Sequence, residues 1–279
     1  MRKFAVGAPA GALVLALVVA GAAVGRTQAT TIKLNANMNA AQEVPVPTGD
    51  VGAARGTFSA TVTRSETGGV MVWQMTFSGL TGAAGAAHVH VGPRGQAGGV
   101  VVPLCGPCVS PVSGTANVDA SVLNAVQTGV AYVNVHTPTN GAGEIGGQLG
   151  VLANVSTALN ARQEVPQPTG NPRRAKGTFT ATVTKEGTTG KIGWRLTFSG
   201  LTGRGLAAHI HTGPRGKAGP VAVALCGPCR SGMRRSATLP ASVLTALEAG
   251  RAYVNPHTAR NQAGEVRGQI AAVPLRLTG

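Results

Sequence analysis

Histidine is scarce in this chain and falls only at matched positions of its two halves. The stretch AAHVHVGPRG, which begins at residue 86, returns 121 residues later as AAHIHTGPRG. The six histidines are His88, His90 and His136 in the first half, and His209, His211 and His257 in the second. Neutral imidazole is a common ligand for zinc, copper and nickel. Three histidines in each half therefore indicate a candidate metal site in each.

Two strands must position these side chains. On a β-strand successive side chains point to opposite faces, so His88 and His90 share one face. The same alternation in AYVNVHT places Tyr132, Asn134 and His136 on one face. If these two strands are neighbours, the three imidazoles of each half can converge.

Three histidine ligands leave one coordination position open. Copper is favoured because divalent affinities rise to Cu(II), and zinc is the alternative. Glu144 and Glu265 follow the third histidines by eight residues and are candidates to orient an imidazole or supply an oxygen. Asn134 and Asn255, two residues before the third histidines, are further candidates to support the ligands. A structural network of hydrogen bonds or a pH-sensing role would use the same residues, and the residues do not decide among these.

The spacing of 121 residues extends over most of the chain without a gap. Gln42-Glu43-Val44-Pro45 returns from Gln163, and Thr76-Phe77-Ser78-Gly79 returns from Thr197. Short alternating segments such as GTFSATVT, separated by glycine-rich turns, predict two tandem antiparallel β-sandwich or barrel domains. SVLNAVQTG and SVLTALEAG, each with serine as N-cap and a closing glycine, predict one short helix per domain.

Each half also carries LCGPC. Cys-Gly-Pro-Cys is the redox pair of thioredoxin-like enzymes, but that chemistry needs the first thiolate at the start of a helix, and VSPVSGT follows here instead. One zinc shared by the four cysteines would require pairs from separate domains. Export favours oxidation, so we expect a structural disulfide in each domain. The pairs are Cys105–Cys108 and Cys226–Cys229.

The N-terminus predicts export. Arg2 and Lys3 precede an uncharged run from Phe4 to Gly25, which is typical of a signal peptide, although an uncleaved anchor would also fit. We expect a signal peptide at residues 1–29, domain 1 at 30–151 and domain 2 at 152–279. The mature protein is then secreted, periplasmic or held at the cell surface, without a transmembrane helix after cleavage.

The net charge of +15 lies almost wholly in the second half. Residues 31–151 have a net charge of −1, whereas residues 152–279 have seventeen basic and four acidic side chains. This asymmetry predicts an anionic partner for domain 2, such as an envelope or matrix polymer, rather than a specific nucleic acid. A solvated surface tuned for solubility is the alternative. The candidate contacts are Arg173, Arg174, Lys176, Arg234 and Arg235.

Three motifs taken together resemble the chordin-type (CHRD) domain. These are QEVP, AAHIHTGPRGKAG and AYVNVHT followed by GEIGGQL, over residues 34–150 and 155–271. The resemblance implies an immunoglobulin-like or superoxide-dismutase-like β-sandwich in an extracellular protein. Two positions depart from the pattern between the copies. Gly146 stands where the second copy has Arg267, and Pro256 replaces a valine, which predicts a distorted third strand in domain 2.

The His-x-His strand also looks like the copper-ligand strand of Cu,Zn superoxide dismutase. This likeness implies that the six histidines are copper ligands, although no bridging histidine or zinc-site aspartate accompanies them. We therefore expect an exported, non-enzymatic protein that binds copper or zinc. A structural or adhesion module without metal is the second hypothesis, and a copper-dependent dismutase-like enzyme is the third. The oligomeric state does not follow from the sequence.

Overall fold

The computed structural model describes residue 1 and residues 31–170 and 172–277. Apart from Met1, the expected signal peptide lies outside the described residues. Within the described part of the chain, no helix is long and apolar enough to cross a membrane.

Each half folds into eight strands and one α-helix in the same order. The first half contains β1 (Thr31–Asn39), β2 (Arg55–Arg64), β3 (Gly68–Ser78), β4 (Ala86–Val91), β5 (Gly99–Cys105), β6 (Val112–Asp119), α1 (Ala120–Thr128), β7 (Ala131–His136) and β8 (Ile145–Gln148). The second half contains β9 (Gly150–Asn160), β10 (Lys176–Glu186), β11 (Thr189–Ser199), β12 (Ala207–Thr212), β13 (Val221–Cys226), β14 (Met233–Leu239), α2 (Ala241–Glu248), β15 (Ala252–His257) and β16 (Gly268–Ile270).

The strands of each domain form two antiparallel layers. In domain 1 the first layer has the order β1-β2-β3-β6, and the second has the order β8-β7-β4-β5. Alternate side chains of both layers face the core, where Phe58 stacks on Trp73 with 6.3 Å between the ring centroids. Domain 2 repeats this arrangement, and Phe179 packs on Trp194 at 6.4 Å. The predicted all-β sandwich with one short helix per domain is confirmed.

The two sandwiches share a continuous sheet. The first residues of β9 pair with β1, with Gly150 opposite Asn35, and most of β9 pairs with β10. The expected boundary between residues 151 and 152 therefore lies inside a strand. At the other end of the chain, Leu277 is buried in the core of domain 1, and its N–H donates to Gln127 Oε1 at 2.5 Å.

The helices start earlier than the sequence pattern predicts. Ser121 is the second residue of α1, and the N-cap is Asp119, whose side chain makes no capping hydrogen bond. The prediction of a serine N-cap is wrong because β6 runs directly into α1. The closing glycine is confirmed in domain 1, where Gly129 adopts φ = 77°, a left-handed conformation that glycine adopts without strain.

Candidate metal site

Strands β4 and β7 bring the three histidines of domain 1 together. The strands pair along six positions, so that His88 lies opposite Asn134 and His90 lies opposite Tyr132. Directly opposite residues of an antiparallel pair point to the same side of the sheet. His136 lies on that side too, opposite Ala86. The two strands that the sequence pattern required to be neighbours are therefore paired in the register that lets their imidazoles meet.

The histidines lie on the outer face of the second layer, and two loops contact them. Val89 and Val133, which alternate with them, are buried in the core. Outside the sheet, His90 Nδ1 lies 2.9 Å from the carbonyl oxygen of Gly98, and His136 Nδ1 lies 3.1 Å from that of Gly141. These loops shield the imidazoles: His90 is 6 % exposed.

The carbonyl contacts fix the tautomers. A carbonyl oxygen can only accept, so His90 and His136 carry their proton on Nδ1 and keep a lone pair on Nε2. His88 Nδ1 lies 3.0 Å from His136 Nε2 and must be the donor there. Loss of that proton, or its transfer to Nε2 of the same ring, leaves three lone pairs directed into one space.

The distances suit a small metal ion. One ligand atom from each of the three rings lies within 4.8 Å of the others. Two nitrogens bound to zinc at about 2.0 Å with tetrahedral angles are separated by about 3.3 Å, which is close to the 3.0 Å between His88 and His136. The spacing of these two nitrogens thus already suits a shared ion, and the third imidazole lies within reach of it.

Unpartnered acceptors lie at the same place. His90 Nε2 and Asn134 Oδ1 are buried and have no hydrogen-bond partner among the described residues. A buried acceptor without a donor costs about 1–3 kcal/mol. Both atoms recur without a partner in domain 2, on His211 and Asn255. A bound cation would compensate for the unpartnered imidazole nitrogen in each domain.

The second triad reproduces the first. His209 Nδ1 lies 3.0 Å from His257 Nε2, and His211 Nδ1 lies 2.9 Å from the carbonyl oxygen of Gly219. Pro256 does not distort this strand, because β15 keeps six paired positions with β12. The difference lies in the neighbouring strand: β15, which contains Pro256, pairs with β16 at three positions, whereas β7 pairs with β8 at four.

Burial, and for several of them repulsion from a neighbouring imidazole, favours the neutral form of His88, His136, His209, His211 and His257. Burial, followed by the charge of neighbouring histidines, lowers the pKa of His88. Burial also lowers the pKa of His136, and the same two causes lower the pKa of His209 to about 4. In domain 2 burial lowers the pKa values of His211 and His257 as well. Neutral imidazole is the form that binds metals.

Glu144 and Glu265 were expected to contact the imidazoles, but neither does so. Glu144 accepts hydrogen bonds from the N–H and hydroxyl of Thr81, from the hydroxyl of Thr137 at 2.6 Å and from Asn140 at 3.0 Å. Burial alone would raise the pKa of Glu144, but these donors outweigh it and lower the pKa. Glu265 is held in the same way by the corresponding residues of domain 2. Both carboxylates fasten the loop that follows the third histidine, so their link to the triad is indirect.

Asn134 and Asn255 lie on the histidine face as expected, and each meets a buried glutamate. Asn255 Nδ2 donates to Glu164 Oε2 at 3.2 Å, and in domain 1 Asn134 lies beside Glu43 and lowers the pKa of that carboxyl group. Local sequence patterns predict no role for Glu43, Glu164, Tyr132 or Tyr253. Their exact recurrence after 121 residues was the signal available.

Both cysteine pairs form disulfides within their own domain, as predicted. Cys105 is bonded to Cys108, and Cys226 is bonded to Cys229. The Cys108 N–H donates to the carbonyl oxygen of Ala84 at 3.0 Å, and thus ties the disulfide loop to the turn before β4. Neither pair starts a helix, so the geometry of a thioredoxin-like redox centre is not met.

The five basic residues expected to contact an anion are all exposed but do not form one face. Arg173 and Arg174 lie in a short turn before β10, and Lys176 starts that strand. Arg234 lies opposite Arg195 on the outer face of the first layer of domain 2, and Arg235 points to the other side of β14. The sequence analysis did not single out Arg195, because only the strand register places it beside Arg234.

Comparison with known protein families matches the chain twice. The CHRD domain family matches residues 34–149 and 155–270, which are most of the chain. This chain belongs to the CHRD domain family. Members of the family are β-sandwich domains that occur in extracellular or secreted proteins. No curated protein and no solved structure matches the chain.

Proposed function

We propose that this tandem CHRD protein is an exported, non-enzymatic protein that binds one transition-metal ion in each domain. Copper is the first candidate and zinc the second. The observation that carries the proposal is the buried Nε2 atom of His90, which faces converging imidazoles and has no donor within the part of the chain that the structure describes. The same holds for His211 in domain 2. A bound metal supplies a Lewis-acidic centre with one open position.

The residues at the site have two roles, as metal ligands and as hydrogen-bond partners that orient those ligands. His88, His90 and His136 would hold the ion in domain 1. The carbonyl oxygens of Gly98 and Gly141 hold the rings of His90 and His136 by accepting from Nδ1. Such outer hydrogen bonds orient ligands and fix the tautomer.

The tandem arrangement provides its own control for a titration. Wild-type protein should bind two equivalents of Cu(II) or Zn(II), measured by calorimetry and by metal analysis. His88→Ala/His90→Ala and His209→Ala/His211→Ala should each bind one, and the fourfold variant none. Circular dichroism and disulfide content verify that each variant is folded. Equal metal uptake by wild type and the fourfold variant would contradict the proposal.

A structural network without metal is the second candidate function. The hydrogen bond between His88 and His136 supports it, since it satisfies two imidazoles without an ion. In that case no variant changes metal content, and the alanine variants lose stability only. A dismutase-like enzyme is the third candidate, and superoxide turnover by the copper-loaded protein tests it.

We further propose that domain 2 binds an anionic envelope or matrix polymer. Arg195 and Arg234 lie directly opposite each other, and like charges in that position destabilise a sheet unless an anion lies between them. The corresponding residues of domain 1 are Gln74 and Ser113. An anionic ligand would therefore bind the outer face of domain 2 and not that of domain 1.

A further inference from the structure

The guanidinium group of Arg267 occupies a closed pocket in domain 2. Its side chain is 1 % exposed. Nη1 donates to the carbonyl oxygen of Lys217 at 2.8 Å, and Nη2 donates to that of Pro214 at 3.0 Å and to Gln269 Oε1 at 2.8 Å. Cζ lies 3.4 Å from the centre of the Tyr253 ring, a cation–π contact. Glu164, which is fully buried, adds a nearby negative charge.

Domain 1 lacks the arginine but has the residues that would line the same pocket. Gly146 stands at the position of Arg267. A narrow pocket of about 20 Å³ is lined by Pro93, Gln96, Tyr132 and Gln148. These four residues correspond, with the spacing of 121, to the four partners of the Arg267 guanidinium.

The retained groups are oriented as in domain 2. Gln148 donates its Nε2 to the carbonyl oxygen of Gly129 at 2.7 Å, as Gln269 does to that of Gly250 at 3.0 Å. His90 stacks on Tyr132 with 5.0 Å between centroids, as His211 stacks on Tyr253 at 4.9 Å. Because the imidazole covers one ring face and Arg267 the other in domain 2, the corresponding face of Tyr132 is uncovered.

A buried carboxyl group lies beside this pocket, on Glu43, between the lining residues Gln42 and Val44. Glu43 is 4 % exposed, and its Oε1 atom has no hydrogen-bond partner among the described residues. A Cβ atom at position 146 would overlap that oxygen, so Glu43 Oε1 lies where the first side-chain carbon of Arg267 lies in domain 2. Arg94 at the mouth does not neutralise it, because Arg94 is held by Glu186 at 2.7 Å.

We propose that domain 1 binds a guanidinium group supplied by a ligand, in the pocket formed by Tyr132, Gln148 and the carbonyl groups of Pro93 and Gln96, with the Glu43 carboxyl group beside it. The planar fork of a guanidinium donates to several acceptors at once and stacks on an aromatic ring, which an ammonium group does not do equally well. The ligand is a free arginine-like molecule or an arginine side chain of a partner. Binding in this pocket does not require a bound metal, although His90 stacks on Tyr132.

The test uses the full-length protein with isotope-labelled tyrosine. It contains two tyrosines, and Tyr253 serves as internal reference because Arg267 already covers it. Capped arginine should shift the Tyr132 ring resonances in a saturable way and leave those of Tyr253 unchanged. Capped lysine and capped citrulline should bind at least about tenfold more weakly. Free arginine, compared with the capped form, distinguishes a small-molecule ligand from a peptide side chain, and tighter binding of either supports the site.

Two variants complete the test. Gly146→Arg should fill the pocket and abolish the shift, and Glu43→Gln should weaken binding at least about fivefold. Equal shifts with arginine and lysine, no shift of Tyr132, or unchanged binding by a folded Gly146→Arg protein would each overturn the proposal. The wild-type comparison of the two tyrosines remains decisive if Gly146→Arg fails to fold.

Discussion

The buried carboxyl of Glu43 should make the stability of domain 1 depend on pH. Burial raises the pKa of Glu43 to about 7, and hydrogen bonds from Asn134 and the Val44 backbone only partly oppose this. In the unfolded chain the pKa is near the ordinary value of 4.5. A difference of this size corresponds to about 3 kcal/mol at 1.36 kcal/mol per pKa unit.

The sign of this pH dependence follows from the number of protons bound in the folded and unfolded states. Below about pH 4.5 the carboxyl is protonated in both states, and it does not penalise folding. Between about pH 4.5 and 7 the folded domain keeps a proton that the unfolded chain has lost, so stability decreases as the pH rises. Above about pH 7 the decrease is complete.

Glu43→Gln should remove this dependence. We would measure the free energy of unfolding by denaturant titration from pH 5 to 8, following Trp73 in a Trp194→Phe background so that emission reports on domain 1. The difference in unfolding free energy between wild type and the glutamine variant should change by about 2 to 3 kcal/mol across this range. Histidine titration cancels in that difference. Parallel curves would refute the reasoning.

Three further predictions concern other parts of the molecule. Glu144→Gln should cost about 1–3 kcal/mol of unfolding free energy, because buried donors lose an ionised acceptor; an unchanged denaturation midpoint would contradict the role of this carboxylate in holding the loop. Leu277→Ala should destabilise domain 1 by about 2 kcal/mol or more, seen in Trp73 emission, because it leaves a cavity in that core; a loss confined to domain 2 would contradict the packing. Arg195→Gln/Arg234→Ser, which introduces the residues of domain 1, should lower the salt concentration that elutes the protein from an anionic resin; elution at the same salt would leave the basic surface without a specific role.

Much of the candidate site follows from local sequence rules. The alternation of side chains along a strand places His88 and His90 on one face, and it places Asn134 and His136 on one face. Pairing of β4 with β7 then brings the imidazoles together. The repeat supplied the rest, because a spacing of 121 residues preserved in every histidine implies the same site twice.

The other parts depend on contacts that the local pattern does not encode. Glu144 was expected beside an imidazole, but the turn between β7 and β8 directs it to Thr81, which is distant in sequence. Strand register alone places Arg195 against Arg234. The packing of Leu277 into the other domain needs the relative position of the two sandwiches.

X-ray absorption spectroscopy of the protein loaded with one Cu(II) or Zn(II) per domain tests the central claim most directly. Three imidazole nitrogens at about 2.0 Å around each ion are the predicted result, and His90→Ala/His211→Ala should reduce them. One imidazole or none per ion, or a spectrum that this variant leaves unchanged, would contradict binding at the two histidine triads.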